Sequence, residues 1–369
     1  MKTTNERLLS LDALRGFDMF WIIGWGRIWH ELAKLTDWPL FNWWSTQMDH
    51  CEWDGFHFYD LIFPLFLFIA GISFPFSWEK SRQKGITTKA LYFRIIKRGL
   101  ILVFLGLVFN GFLKFNFDAQ RYSGVLIRIG LAWMFAALIF INTKRNARIL
   151  WCAGILIFYW LLLAFVQAPD FPNAPRFSME GNFACYIDRA FLPGKMYSEL
   201  YDPSGLSGIL PAISTTLLGM LTGMFIKTSK EGLTPMKKVV YMTGAGVALI
   251  MLGLLWGLIF PINKPIWTSS YVCLAGGISL LFFALFYWII DVCGYRRWTL
   301  FFSVIGMNSI TIYMAQSIIN FQFTANFLFG GFVSFFPKAW APMLNSLTYI
   351  IICWLFLYFL YRKKIFIKV

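Results

Sequence analysis

The chain has 369 residues and three histidines, His30, His50 and His57. His50 opens the stretch HCEWDGFHFYDLIFPLFLFIAGIS, which runs to Ser73. Within it His50, Trp53, Asp54, His57 and Asp60 recur at steps of three and four. On a helix they share one broad face. Two imidazoles and two carboxylates then converge where the chain enters a long apolar run. Histidine is the side chain best suited to moving protons near neutral pH, which makes His50 the candidate general base or acyl carrier. Asp54 or Asp60 could orient its ring by accepting from the second nitrogen. Trp53 and His57 are candidates for contacting substrate. The same residue types also suit a membrane-interface anchor, so the stretch has a structural reading beside the chemical one.

Other ionisable groups fall inside apolar runs, where each costs about 2.5–3.5 kcal/mol on insertion scales and so needs a reason. Asp12 and Arg15 are three apart, at the spacing of a local ion pair. Asp18 lies about 9 Å further along a helix, with no local partner in the sequence. Arg128 sits in a later run, and Asn308, Ser309, Thr311 and Gln316 place polar groups in another. Together they suggest a polar passage, which serves an enzyme and a permease equally well. No HExxH, P-loop or GxSxG pattern occurs. The six cysteines lack metal spacing, so no metal is expected. Cys51 and Cys185 could pair.

The elements that must position these groups are membrane helices. The composition is 58% hydrophobic, 20% aromatic and 14% charged, too apolar for a soluble chain of this length. The expected fold is all-α and polytopic, a single domain over residues 1–369. About ten transmembrane helices are expected, near Leu11–Trp29, Phe58–Trp78, Ile95–Leu113, Gly124–Asn142, Ile149–Val166, Leu206–Ile226, Val239–Phe260, Ser270–Ile290, Leu300–Ile319 and Leu344–Tyr361. Phe321–Phe336 is short and reads as a re-entrant or interfacial segment. No cleavable signal peptide is visible. The net charge of +15 sits in short loops between runs. That pattern points to topology rather than to nucleic acid, and it sets both termini in the cytoplasm. Two long outer segments, Trp29–His57 and Gln167–Gly205, are expected to wall a pocket.

At this point the residues resemble the transmembrane acetyltransferases typified by heparan-α-glucosaminide N-acetyltransferase. The His50–Ser73 stretch is similar to that family's HxxW(N/D/E)G…DLxFPxFxFxxG signature. LDALRG (Leu11–Gly16), RYSGVLIRIG (Arg121–Gly130), GNFACYIDR (Gly181–Arg189), YDPSGLSGILPAI (Tyr201–Ile213), PINKPIWTSSYV (Pro261–Val272) and GMNSI (Gly306–Ile310) follow the family pattern in order. Gly26 stands where the lysosomal enzymes carry an asparagine, and their large N-terminal luminal domain has no counterpart before LDALRG. The likeness is greatest to bacterial relatives. The resemblance implies transfer of an acetyl group from cytosolic acetyl-CoA to an amino sugar on the periplasmic side of a bacterial inner membrane, with His50 catalytic. It implies a homodimer. Asp12, Arg15, Arg128 and Asn308 are then expected at the cofactor, together with the basic segment Lys80–Arg98. Asp188, Arg189, Asp202, Lys264 and Trp267 are expected at the sugar. An amino-sugar permease using the same passage is the alternative, and a structural membrane subunit a further one. Radiolabel passing from acetyl-CoA to a sugar separates them.

Overall fold

The computed structural model describes residues 8–367. The first expected span is broken. Helix α1 (Leu9–Phe20) passes through a π-helical turn at Trp21–Trp25 into α2 (Gly26–Thr36). The break centres on Gly24, whose φ of 149° is accessible only to a residue without a Cβ. Helix α3 (Pro39–Gln47) then starts on a proline at its first turn. After α4 (Ile62–Gln83), the hydroxyl of Thr87 accepts from the Ala90 N–H and caps α5 (Thr88–Phe109). Then come α6 (Val125–Asn142), α7 (Arg145–Phe165), the short helix α8 (Phe183–Phe191), α9 (Ile209–Lys227), α10 (Pro235–Gly257) and α11 (Ser269–Tyr287). The chain finishes with α12 (Thr299–Met307), α13 (Ser309–Ile318), α14 (Phe321–Val333) and α15 (Ala341–Arg362). Only two isolated β-bridges occur among the described residues, so the fold is all-α.

Among the described residues seven helical segments are long and apolar enough to cross a membrane, and eight if α12 and α13, bent by 67°, are one span. This is a polytopic membrane protein. The other two expected spans are also helices, but charge interrupts them: Asp12, Arg15 and Asp18 in α1, and Arg94, Lys97 and Arg98 in α5. Helix α14, with 13 residues, is about 20 Å long and falls short of the roughly 30 Å hydrocarbon core.

Two compact units emerge. The first holds the chain up to His50, His57–Ile62 and the chain from Phe282 onward. Helices α1 and α12 meet backbone to backbone there. A Cβ on Gly16 would overlap the Phe302 carbonyl oxygen, and one on Gly306 the Asp12 carbonyl oxygen. Such close approach through small residues is how helices associate without a hydrophobic drive. Met19, Ile23, Val304, Ile305, Ile312, Cys353 and Leu357 form this unit's core. At the bend Asn308 donates to the Ile365 carbonyl at 3.0 Å and accepts from the Ile367 N–H at 3.2 Å. The second unit holds Cys51–Phe56 and Phe63–Leu281. It uses the same packing where Gly71, Gly219 and Gly223 lie against carbonyls of Thr216, Phe68 and Ile72.

Candidate functional site

The segment from His50 to His57 is not helical, contrary to the periodicity. Gly55 has φ 130° and donates its N–H to the Ile262 carbonyl at 2.8 Å, which commits the backbone to a loop. Helix begins only with a 3-10 turn at Phe58–Leu61, leading into α4. The loop nevertheless turns His50 back onto that turn. Its Nδ1 lies 2.8 Å from Asp60 Oδ1, and the ring lies 5.0 Å from that of Tyr59, centroid to centroid.

Asp60 is held from two sides. Its side chain is 1% exposed, while that of His50 is 54% exposed. Its second oxygen accepts the His57 backbone N–H at 3.0 Å, and its place in a first helical turn suits a negative charge. A fixed carboxylate accepting from Nδ1 selects the tautomer with the lone pair on Nε2. That is the form able to take a proton or attack a carbonyl carbon. The other imidazoles are engaged differently. His57 Nδ1 donates to the Asp49 carbonyl at 3.1 Å. His30 Nδ1 meets the Ser45 hydroxyl at 2.8 Å, with Nε2 3.7 Å from Asp49.

Asp12 and Arg15 face each other at 4.0 Å in the first unit. Asn308, in the same unit, spends its amide on the C-terminal segment as described above. Of the cofactor candidates, Arg128 and the basic segment Lys80–Arg98 belong to the second unit.

The second unit gathers the remaining candidates. Trp53 Nε1 donates to the Phe177 carbonyl at 2.7 Å, and its ring meets Tyr201 edge-on at 5.1 Å. Asp54 accepts from Asn263 Nδ2 at 3.2 Å. Partial burial raises its carboxyl above the ordinary range against the opposing pull of that bond. Lys264 follows Asn263 and is half-buried. Trp267 is fully buried, donates to Thr215 Oγ1 at 3.1 Å and lies 5.0 Å from the Arg128 guanidinium. Its indole is packed in the core of the second unit.

Arg189 and Asp202, expected at the substrate, each form an ion pair within the second unit. Arg189 pairs twice with Asp170, at 2.7 and 2.8 Å, and also donates to the Glu180 and Leu200 carbonyls. Asp202 pairs twice with Arg121, at 2.8 and 2.6 Å, and accepts the Ser204 N–H at 2.8 Å. Burial alone would raise the Asp202 carboxyl, but the Arg121 fork and its other hydrogen bonds hold it below the usual range. Asp188 differs. Burial pushes it up to about 7, against its bond from the Leu206 N–H and the nearby positive charge of Arg128. Arg128 itself is 1% exposed, and among the described residues only Nη2 has a hydrogen-bond partner, the Gly205 carbonyl at 3.1 Å. No disulfide joins Cys51 and Cys185.

Sequence reasoning missed three participants: Tyr59 beside His50, Asn263 on Asp54 and Arg121 on Asp202. Tyr59 adjoins Asp60 in sequence and was within reach. The other two partnerships bridge 209 and 81 residues, with no local signal.

The family described as "Heparan-alpha-glucosaminide N-acetyltransferase, catalytic" matches residues 7–253. A human protein named heparan-alpha-glucosaminide N-acetyltransferase is 27% identical over 98% of this chain and 60% of its own length. A mouse protein of the same name is 24% identical over 100% of this chain and 61% of its own length. The chain thus spans about three-fifths of each relative.

Proposed function

The chain belongs to the heparan-alpha-glucosaminide N-acetyltransferase catalytic family, and from that premise we propose that it moves an acetyl group from acetyl-CoA to the amine of a glucosamine-type sugar across a bacterial inner membrane. The observation that carries the reading is the His50–Asp60 pair, an exposed imidazole fixed by a buried carboxylate.

Acetyl-CoA supplies the acetyl group as an activated thioester. An amine acceptor must lose a proton as it attacks, and His50 Nε2 takes it. General-base help of this kind is worth about 10²–10⁴-fold in rate. The same tautomer also lets Nε2 accept the acetyl group and pass it to the sugar. Asp60 keeps the ring in register and stabilises the imidazolium that forms. Trp53 and Tyr201 offer aromatic edges, and Asp54 a carboxylate, for a sugar. Buried donors on α6 without hydrogen-bond partners among the described residues, Arg128 Nε and Nη1 and Trp133 Nε1, fit a ligand rich in acceptors, such as the amide- and phosphate-bearing arm of acetyl-CoA. Asp12, Arg15 and the basic segment Lys80–Arg98 are proposed for the cytoplasmic approach of its phosphates. Both termini are placed in the cytoplasm, His50 on the periplasmic side, and the assembly as a homodimer.

The test is the full chain in proteoliposomes, with acetyl-labelled acetyl-CoA on the basic-loop side and glucosamine on the other. Label recovered on the sugar nitrogen is the expected result. Unmodified glucosamine crossing the membrane without acquiring label would make the protein a permease instead.

A further inference from the structure

Helix α7, in the second unit, carries a groove that the chemistry above does not use. It is an open cavity of about 540 Å³, lined by Ala147, Leu150, Trp151, Gly154 and Phe158 of α7 and by Leu210 of α9. No charged side chain lines it. A Cβ on Gly154 would meet nothing within 4 Å, so this glycine keeps space open rather than letting two backbones approach. The walls face outward: Leu150 is 72% exposed and Phe158 57%. On a helix long and apolar enough to cross a membrane, that exposure is to lipid. The rise from Ala147 to Phe158 is about 16 Å, half of the roughly 30 Å hydrocarbon core. The groove therefore has the length of one leaflet. At the Ala147 end it meets charge. Lys144 and Arg145 open α7 and are exposed, and the sequence holds no acidic residue from Ala119 to Pro169. No side chain caps this end of the helix, and its first-turn N–H groups add a partial positive charge. Arg148 is not part of this cluster, because its guanidinium is spent on the Phe140 carbonyl.

We propose that this groove binds one anionic phospholipid, with an acyl chain along α7 from Ala147 to Phe158 and the phosphate at Lys144 and Arg145. In a bilayer an acyl chain gains no hydrophobic energy by leaving its neighbours, so fit and headgroup charge decide which lipid stays. The groove supplies the fit, because a chain lying in it gains close contacts on several sides. The basic pair supplies the choice of headgroup. Each basic residue beside an anionic headgroup is worth about fivefold, so the two favour an anionic over a zwitterionic lipid by about 25-fold. The geometry also fixes the direction, with the phosphate at the membrane surface and the chain end near the midplane at Phe158. The topology proposed above makes this the cytoplasmic leaflet. The lipid site does not depend on the acetyl-transfer reading.

Two measurements on the full chain test this. In the first, purified protein is mixed with phosphatidylglycerol and phosphatidylcholine of identical acyl chains, and retained lipid is counted by native mass spectrometry. Wild type should retain phosphatidylglycerol about 25-fold better. Lys144→Gln combined with Arg145→Gln should bring the two lipids level. Gly154→Leu, whose side chain fills the groove without a clash, should bring phosphatidylglycerol down to the phosphatidylcholine level. The Tm of each variant without added lipid should match wild type. In the second, phosphatidylglycerol with a photoreactive diazirine in its acyl chain is added to wild type in nanodiscs. Label should concentrate between Ala147 and Phe158 and exceed that on α10, where Val240, Met251 and Leu255 are also exposed. The site is overturned if wild type retains both lipids equally, if either variant keeps the wild-type preference, or if label spreads evenly over α7 and α10. Should Gly154→Leu fail to fold, the labelling pattern decides. Label missing from α7, with a Gly154→Cys disulfide joining two chains, would give the groove to a second copy and overturn the proposal as well.

Discussion

Two carboxylates, Asp60 and Asp202, are buried to the same degree and serve opposite ends. Asp202 faces a guanidinium that grips both oxygens, and two backbone N–H groups complete the set. Nothing in that arrangement is left to react, and its product is a fixed loop. Asp60 spends one oxygen on backbone and the other on an imidazole that is half in solvent. There the product is an oriented, accessible nitrogen. The kind of partner, a guanidinium fork or an exposed imidazole, differs between the two more than the depth of burial does.

The comparison breaks most sharply at His50. His50→Ala should cut acetyl transfer about 10²–10⁴-fold while leaving the Tm within a degree or two. A folded variant with wild-type turnover would reduce the pair to an anchor. Asp60→Asn should cost about 10–100-fold in kcat with little change in the KM for acetyl-CoA, because the amide no longer enforces the tautomer. Asp202→Ala should do the reverse. Losing the partner of Arg121 is expected to destabilise by about 2–3 kcal/mol, read as a lower Tm, with the folded fraction still active. Loss of activity at unchanged Tm would instead return Asp202 to the substrate.

Asp188 sharpens the contrast from a third side, through pH. Its folded carboxyl is pushed up to about 7 by burial, against about 3.9 in an unfolded chain. The folded state therefore favours the protonated acid. That contribution is fully present below about pH 4 and is lost as pH rises to about 7, at no more than about 1.4 kcal/mol per pH unit. Thermal melts of wild type and Asp188→Asn across pH 4–7 should diverge as pH rises, the wild type losing ground. Parallel curves would mean that Asp188 is ionised throughout.

The spans were legible because hydrophobic runs of membrane length admit few alternatives. Leu11–Trp29 was legible as helix but not as a broken one, since one glycine sets the break. At the site, the spacing from His50 to Asp60 suggested a shared helical face, and the structure brings the two together through a loop. Spacing alone left Asp54 and Asp60 as equal partners for the ring. The choice falls to Asp60 because Gly55 bonds to Ile262, and Asp54 meets Asn263, both more than 200 residues downstream. Arg189 and Asp202 are expected at the sugar on the family resemblance, from the segments GNFACYIDR and YDPSGLSGILPAI. Their ion-pair partners, Asp170 and Arg121, could be found only by folding the chain.

The crossing of α1 and α12 has a genetic corollary. Glycine is the only residue without a Cβ, so every missense change at Gly16 or Gly306 forces an atom into a carbonyl oxygen of the facing helix. No codon there has a harmless non-synonymous neighbour. The two positions offer natural variation nowhere to go, and alleles that disable the protein without touching its histidines would be expected to recur at them.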